Sequence, residues 1–262
     1  MFRQQSFFKY LKPIQLNFLF AVIILAVPYN GLSQSGTKEE SASFKSAKHI
    51  LQKMSNYLSA AEQFSLKATM TEDHISTNGH YIQSDITFNM VIKRPDKVYV
   101  EINSDEKGKR FWYNGKNVAM LMQPANYYST GEASGNIDEM INFVYNTFGI
   151  SLPLSGLAFS NPYELLMEGV TDGYYLGIHK IDGINCHHLL FIEEDAEWQV
   201  WVEDGPKMAP KKYSVTYMVD EGALDISMVI EKWKFNTYTP DEIFNFMPPV
   251  GATKIEFITV NE

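Results

Sequence analysis

From Gln63 to Val260 the side chains alternate in character with a period of two, and turn residues recur at short intervals. A chain with that pattern has to pair its strands as neighbouring hairpins, so an antiparallel sheet is the dominant element. Asn78-Gly79 is a two-residue hairpin cue joining Phe64–Ser76 to His80–Lys93. Pro95-Asp96, Glu106-Lys-Gly108 and Asn114-Gly115 then separate Lys97–Asn103, Lys109–Tyr113 and Asn117–Met122. A second block runs through Val170–Ile181, Ile184–Glu193, Trp198–Glu203, Lys212–Val219 and Ala223–Asn236, and a last strand is expected near Lys254–Val260.

Three stretches depart from this period. Phe44, Ala47, Ile50, Leu51, Met54, Leu58 and Ala61 recur at three- and four-residue steps, the stripe of an amphipathic helix ahead of the sheet. Ile137, Met140, Ile141, Val144 and Phe148 repeat that spacing between the two blocks, with Asn136 or Asp138 as a cap and Gly149 at the end. A short helix starts at Asn161-Pro162 and ends near Gly169. The expectation is an α+β fold: one large, strongly curved antiparallel sheet of about eleven strands, an unclosed half-barrel with helices covering its concave face.

Residues 1–33 read as an export signal. Arg3, Lys9 and Lys12 precede the uncharged run Leu16–Val27, which is too short to span a bilayer and is followed by Pro28, Asn30 and Gly31. Cleavage is expected near Ser33, with 34–43 as a linker and 44–262 as a single domain carrying a helical insertion around 136–169. The other reading is an uncleaved helix that tethers the domain. No cysteine follows the apolar run, which excludes a lipid anchor there.

The 262 residues carry 22 basic and 31 acidic side chains, a net charge of -9 that disfavours nucleic acid. The single cysteine, Cys186, permits no internal disulfide. Cys186-His187-His188 invites a metal reading, but on a strand at most two of the three face one ion, and His179, Asp182 or Glu193 form no spaced set with them. No nucleophile elbow, phosphate loop or zinc-helix motif is present, and Glu193-Glu194-Asp195 reads as a solvated turn. No enzyme activity, cofactor or metal is expected.

Val91–Glu101 (VIKRPDKVYVE), Tyr113–Met120 (YNGKNVAM) and Ile243–Ala252 (IFNFMPPVGA) resemble, in order and spacing, segments of the LolA/LolB-type periplasmic lipoprotein carriers. The similarity covers most of Phe44–Phe257 and is greatest to an uncharacterised group of predicted periplasmic proteins within that superfamily. It implies the periplasm, an unclosed barrel with an apolar hollow, and acyl chains as cargo, with a membrane-associated donor or acceptor protein as partner.

By the same resemblance Arg94 faces the hollow and hydrogen-bonds a lid. Residues alone leave it free to cap a turn or to pair with Asp96 or Glu101. If Arg94 points inward, alternation sends Ile92, Met90 and Phe88 inward as well. Val100, Met120, Met122 and Met228 complete the expected ligand-facing set, and Ile137, Met140, Ile141, Val144 and Phe148 the lid. Core filling accounts for the methionines equally well. The function expected is a soluble binding or carrier protein for a hydrophobic ligand held in a trough too roomy for its own side chains to fill. Two alternatives are an envelope-stress or lipid sensor of the RseB type acting through a protein partner, and hydrolysis of a lipid or glycan.

Overall fold

A computed structural model describes residues 40–75, 78–104, 107–219 and 222–260. The expected leader, 1–33, and the linker up to residue 39 lie outside the described residues.

Helix α1 spans Ala42–Ser59. Ser41 caps it, its hydroxyl accepting from the Phe44 amide at 3.0 Å. Ala47, Leu51, Met54 and Leu58, one stripe of the periodic set, are fully buried. The sheet follows as β1 (Gln63–Ile75), β2 (Tyr81–Lys93), β3 (Lys97–Asn103), β4 (Gly108–Tyr113), β5 (Asn117–Gln123) and β6 (Tyr127–Glu132). Helix α2 (Ile137–Phe148), a 3₁₀ turn at Ser155–Leu157 and α3 (Pro162–Met167) interrupt it. It resumes as β7 (Asp172–Ile181), β8 (Ile184–Ile192), β9 (Ala196–Glu203), β10 (Pro210–Val219) and β11 (Gly222–Phe235), and ends with a 3₁₀ turn at Asp241–Phe244 and the short β12 (Thr253–Lys254).

The twelve strands among the described residues form one sheet in the order β12-β6-β5-β4-β3-β2-β1-β11-β10-β9-β8-β7. The two meanders expected from the short turns meet where β1 pairs with β11, Phe64 opposite Phe235 and Met70 opposite Met228. Register slips between Lys67 and Ala68, between Pro210 and Lys212 and between Tyr175 and Ile178 add local twist, which helps the wide sheet to curl.

Several expectations need correcting. Strand β6 was not anticipated: Tyr127-Tyr-Ser-Thr-Gly-Glu132 lacks alternation, and its strand state comes from pairing with β5. The β1–β2 connection is not a two-residue hairpin at Asn78-Gly79, because the last pair of the ladder is Ile75 with Tyr81. The last strand shrinks to Thr253–Lys254, parallel to β6, and the segment to Val260 then docks by single hydrogen bonds, Ile255 N to Tyr128 O and Val260 N to Thr147 O.

The convex face of the first meander has its own cover. Lys93 and Lys97 hold Asp241, at 2.6 and 3.6 Å. Phe244 is fully buried, and Phe246 lies against Trp112 and Tyr128 at 4.9 and 5.2 Å between ring centres. This strap accounts for the apolar residues of the outward parity, Tyr99, Trp112, Ala119 and Leu121.

Candidate functional site

Cross-strand partners in an antiparallel sheet share a face. Phe88 pairs with Ile102, Met90 with Val100 and Ile92 with Val98; Val100 pairs with Phe111; Phe111 pairs with Met120 and Lys109 with Met122. Met90 also pairs with Leu66, and Met70 with Met228 across the junction of the meanders. All seven apolar residues expected to face a ligand therefore lie on one face, the one the helices cover. Phe88, Met90, Ile92, Val100 and Met228 are essentially without exposure, while Met120 and Met122 are half-buried.

The cover has two parts. Helix α1 lies over β7, β8 and β9. Gly173 permits its approach, since a Cβ there would meet Leu190 O at 2.8 Å and Phe44 Cδ2 at 3.0 Å. The second part is the insertion. Asn136 caps α2 in a reciprocal capping box with Glu139, and Gly149 ends it at φ 66°, a left-handed conformation that suits glycine. Ile137, Met140, Ile141 and Val144 are buried beneath it, and Phe148 stacks on Phe257 at 4.6 Å. Leu152, Leu154, Leu157, Ala158 and Phe159 are buried as well, although their order in the chain has no period.

An open cleft of about 450 Å³ borders Arg94, lined also by Ser59, Ala61, Gln63, Lys93 and Tyr238. Beneath the cover, an apolar cavity of about 20 Å³ lies between Leu51 and Met54 of α1, Leu154, Leu157 and Leu166 of the insertion, and Trp198 and Ile230 of the sheet. That volume is near the minimum for one water molecule. Around that cavity the trough is occupied by the chain's own side chains.

What holds the insertion down is partly polar. Arg94 donates from Nη1 to Ala158 O at 2.7 Å and from Nη2 to Phe159 O at 3.1 Å. Its alternative partners are engaged elsewhere: Glu101 accepts from Arg110 at 2.9 Å, and Asp96 lies 3.7 Å from Lys97. Burial pulls the Arg94 guanidinium below its ordinary pKa and the nearby Asp138 carboxylate opposes that shift; an arginine still keeps its charge. Asp138, in the first turn of α2, accepts from the Ser160 amide at 2.9 Å and from its hydroxyl. Residues 158–160 thus sit between a guanidinium and a carboxylate. Tyr163 N donates to Ser55 Oγ at 2.9 Å, which ties α3 to α1. Sequence reasoning treated Asp138 only as a possible helix cap, because nothing local shows that Ser160 returns to it.

Cys186 and His188 share the outward face and His187 points the other way, as alternation requires. His188 stacks on Trp201 at 4.1 Å, and its Nδ1 and Nε2 meet His179 Nδ1 at 3.2 Å and Gln199 Oε1 at 2.8 Å. His187 lies between Tyr175 Oη and Asp204, each at 3.1 Å. Cys186 is a buried free thiol, its pKa pushed up by burial. Among the described residues no three His, Cys, Asp or Glu side chains converge as a metal site, and no helix is long and apolar enough to cross a membrane.

The sequence profile of the family described as predicted periplasmic protein (DUF2092) matches residues 47–258, and the chain belongs to that family. No curated protein sequence matches. An uncharacterised conserved protein from Thermus thermophilus is similar at 9% identity, with 80% of this chain and 99% of that chain covered and a TM-score of 0.47. The lipoprotein LppX of Mycobacterium tuberculosis is similar at 15% identity, covering 73% and 96%, with a TM-score of 0.45. A LolA superfamily protein from Nitrosomonas europaea is similar at 11% identity, covering 79% and 99%, with a TM-score of 0.34.

Proposed function

We propose that this member of the predicted periplasmic family (DUF2092) is a carrier that shields an apolar ligand, in the first instance a long acyl chain, on the concave face of its half-barrel. The observation that supports this most is the cover itself. A continuous apolar face is closed by a segment, 152–160, whose last residues are clamped by Arg94 and Asp138. A bound chain lies against Phe88, Met90, Ile92, Val100, Met120, Met122 and Met228. Arg94 acts as the latch, and α2, with Ile137, Met140, Ile141, Val144 and Phe148, as the lid that moves.

Because Leu152, Leu154, Leu157 and Phe159 are already buried beneath the cover, ligand surface there replaces theirs. Displacing Leu152, Leu154, Leu157 and Phe159 costs roughly 6–12 kcal/mol at about 1.5–3 kcal/mol per side chain. Each ligand methylene returns about 0.8 kcal/mol, so roughly 8–15 methylenes are needed to break even. The carrier therefore selects long chains over short ones.

Native mass spectrometry and lipid extraction of the protein purified from its own periplasm test this directly, together with titration of a long-chain and a short-chain acyl probe. Co-purified long acyl species and binding of the long probe alone are expected. Absence of both co-purified lipid and probe binding contradicts a carrier. A folded Arg94→Leu protein is expected to take up and release the probe faster; wild-type rates for both contradict the latch.

A further inference from the structure

On the concave face of β2–β6, cross-strand partners line up in rows. The row nearest Arg94 runs from Ile92 through Val98 and Tyr113 to Val118, all buried. In the next row Met90, Val100 and Phe111 are buried and Met120 is half-buried. In the third, Phe88 is still buried, but Ile102, Lys109 and Met122 are half-buried and Tyr127 is 44% exposed. Exposure rises with distance from the latch, so the trough opens at the row that ends in Tyr127.

Lys109 is the single charged side chain in these three rows. Its neighbour Arg110 faces outward and is held by Glu101 at 2.8 Å. Among the described residues no carboxylate pairs with Lys109 in the same way. Its cross-strand neighbours are Ile102 and Met122, so its methylenes lie on the apolar track and its ammonium stands at the rim. The chain around it carries a net charge of -9, which makes an unpaired inward cation a local exception. A ligand chain laid on Met122 takes water from that ammonium, and this costs free energy unless the ligand brings an anion to it.

We infer that Lys109 anchors an oxyanion head group, carboxylate or phosphate, of the acyl ligand at the mouth of the half-barrel, an inference that rests on the carrier reading above. From this anchor the chain runs past Met122 and Met120 toward Val100 and Ile92, about 14 Å at roughly 3.4 Å per residue, while the head stays at the rim. A neutral head group leaves the ammonium to lose water with nothing in return. The carrier therefore selects by charge as well as by chain length.

Displacement of a fluorescent long-chain acyl probe by palmitate, hexadecyl phosphate and methyl palmitate, at mildly alkaline pH, tests the inference, since the three share a chain and differ in the head. The better of the two anions is expected to bind at least about tenfold more tightly than the ester, and it identifies the head group. Lys109→Met should remove that advantage without weakening the ester, Lys109→Arg should keep it, and neither should move the melting midpoint. Added salt should reduce the advantage, and inorganic phosphate should not displace the probe. Equal binding of all three ligands overturns the anchor and leaves the carrier standing, as does an anion advantage that persists in Lys109→Met. Displacement by inorganic phosphate would make this a site for free anions and overturn the inference as well. Binding of none of the three contradicts the carrier, and the anchor with it.

Discussion

The two parts of the cover lie on the same hollow but are secured differently. Helix α1 is held chiefly by apolar burial along its stripe, Ala47, Leu51, Met54 and Leu58, and by the close approach of Phe44 to Gly173, with single hydrogen bonds from Tyr175 N to Ser43 and from Tyr163 N to Ser55 at its margins. The insertion buries apolar side chains too, yet its last stretch, 158–160, is positioned by hydrogen bonds from Arg94 and to Asp138. Dispersed apolar contacts have no single point of release, whereas a clamp of a few named bonds can be opened at those bonds. On the proposed reading, one part of the cover serves as floor and the other as gate.

The largest effect is expected in the floor. Leu51→Ala removes a fully buried side chain that already borders the residual cavity, and should lower unfolding free energy by about 2–5 kcal/mol in urea titration. A loss below about 1 kcal/mol would show that α1 is not tightly seated. Gly173→Ala should cost about 1–3 kcal/mol, since the added methyl forces Leu190 O and Phe44 apart.

Asp138→Ala acts in the gate. It removes the acceptor for Ser160 and should cost about 1–2 kcal/mol, expressed locally as faster exchange of the amides around Ser160. If α1 amides speed up equally, floor and gate are one unit.

A smaller effect belongs to neither part. Burial, chiefly, holds the His188 pKa below its ordinary value, with His179 and Lys212 adding to that shift and Gln199 opposing it. The unfolded chain therefore takes up a proton at a pH where the folded one does not, and stability falls as the pH drops below about 6.5. His188→Gln should flatten that part of the pH–stability curve.

Sequence legibility followed the range of the interaction. Helices α1 and α2 announce themselves through spacing and caps, and strand parity sorted Phe88, Met90, Ile92 and Val100 onto one face. The strand at Tyr127–Glu132 was not legible because its state comes from its partner β5, not from its own side chains. The aperiodic run Leu152–Phe159 reads as a loop, and only its return onto the sheet makes it core. The strap is a similar case: Trp112 and Leu121 look misplaced on an outward face until Phe244 and Phe246, more than a hundred residues later, arrive to cover them.

Hydrogen exchange of wild-type and Arg94→Leu proteins, read separately over 150–160 and over α1, probes the gate most directly. The expected result is exchange through a low-energy opening over 150–160 that quickens at least about tenfold when Arg94 is lost, with α1 unchanged. Exchange of both segments at one common rate, insensitive to Arg94, would contradict a gated hollow.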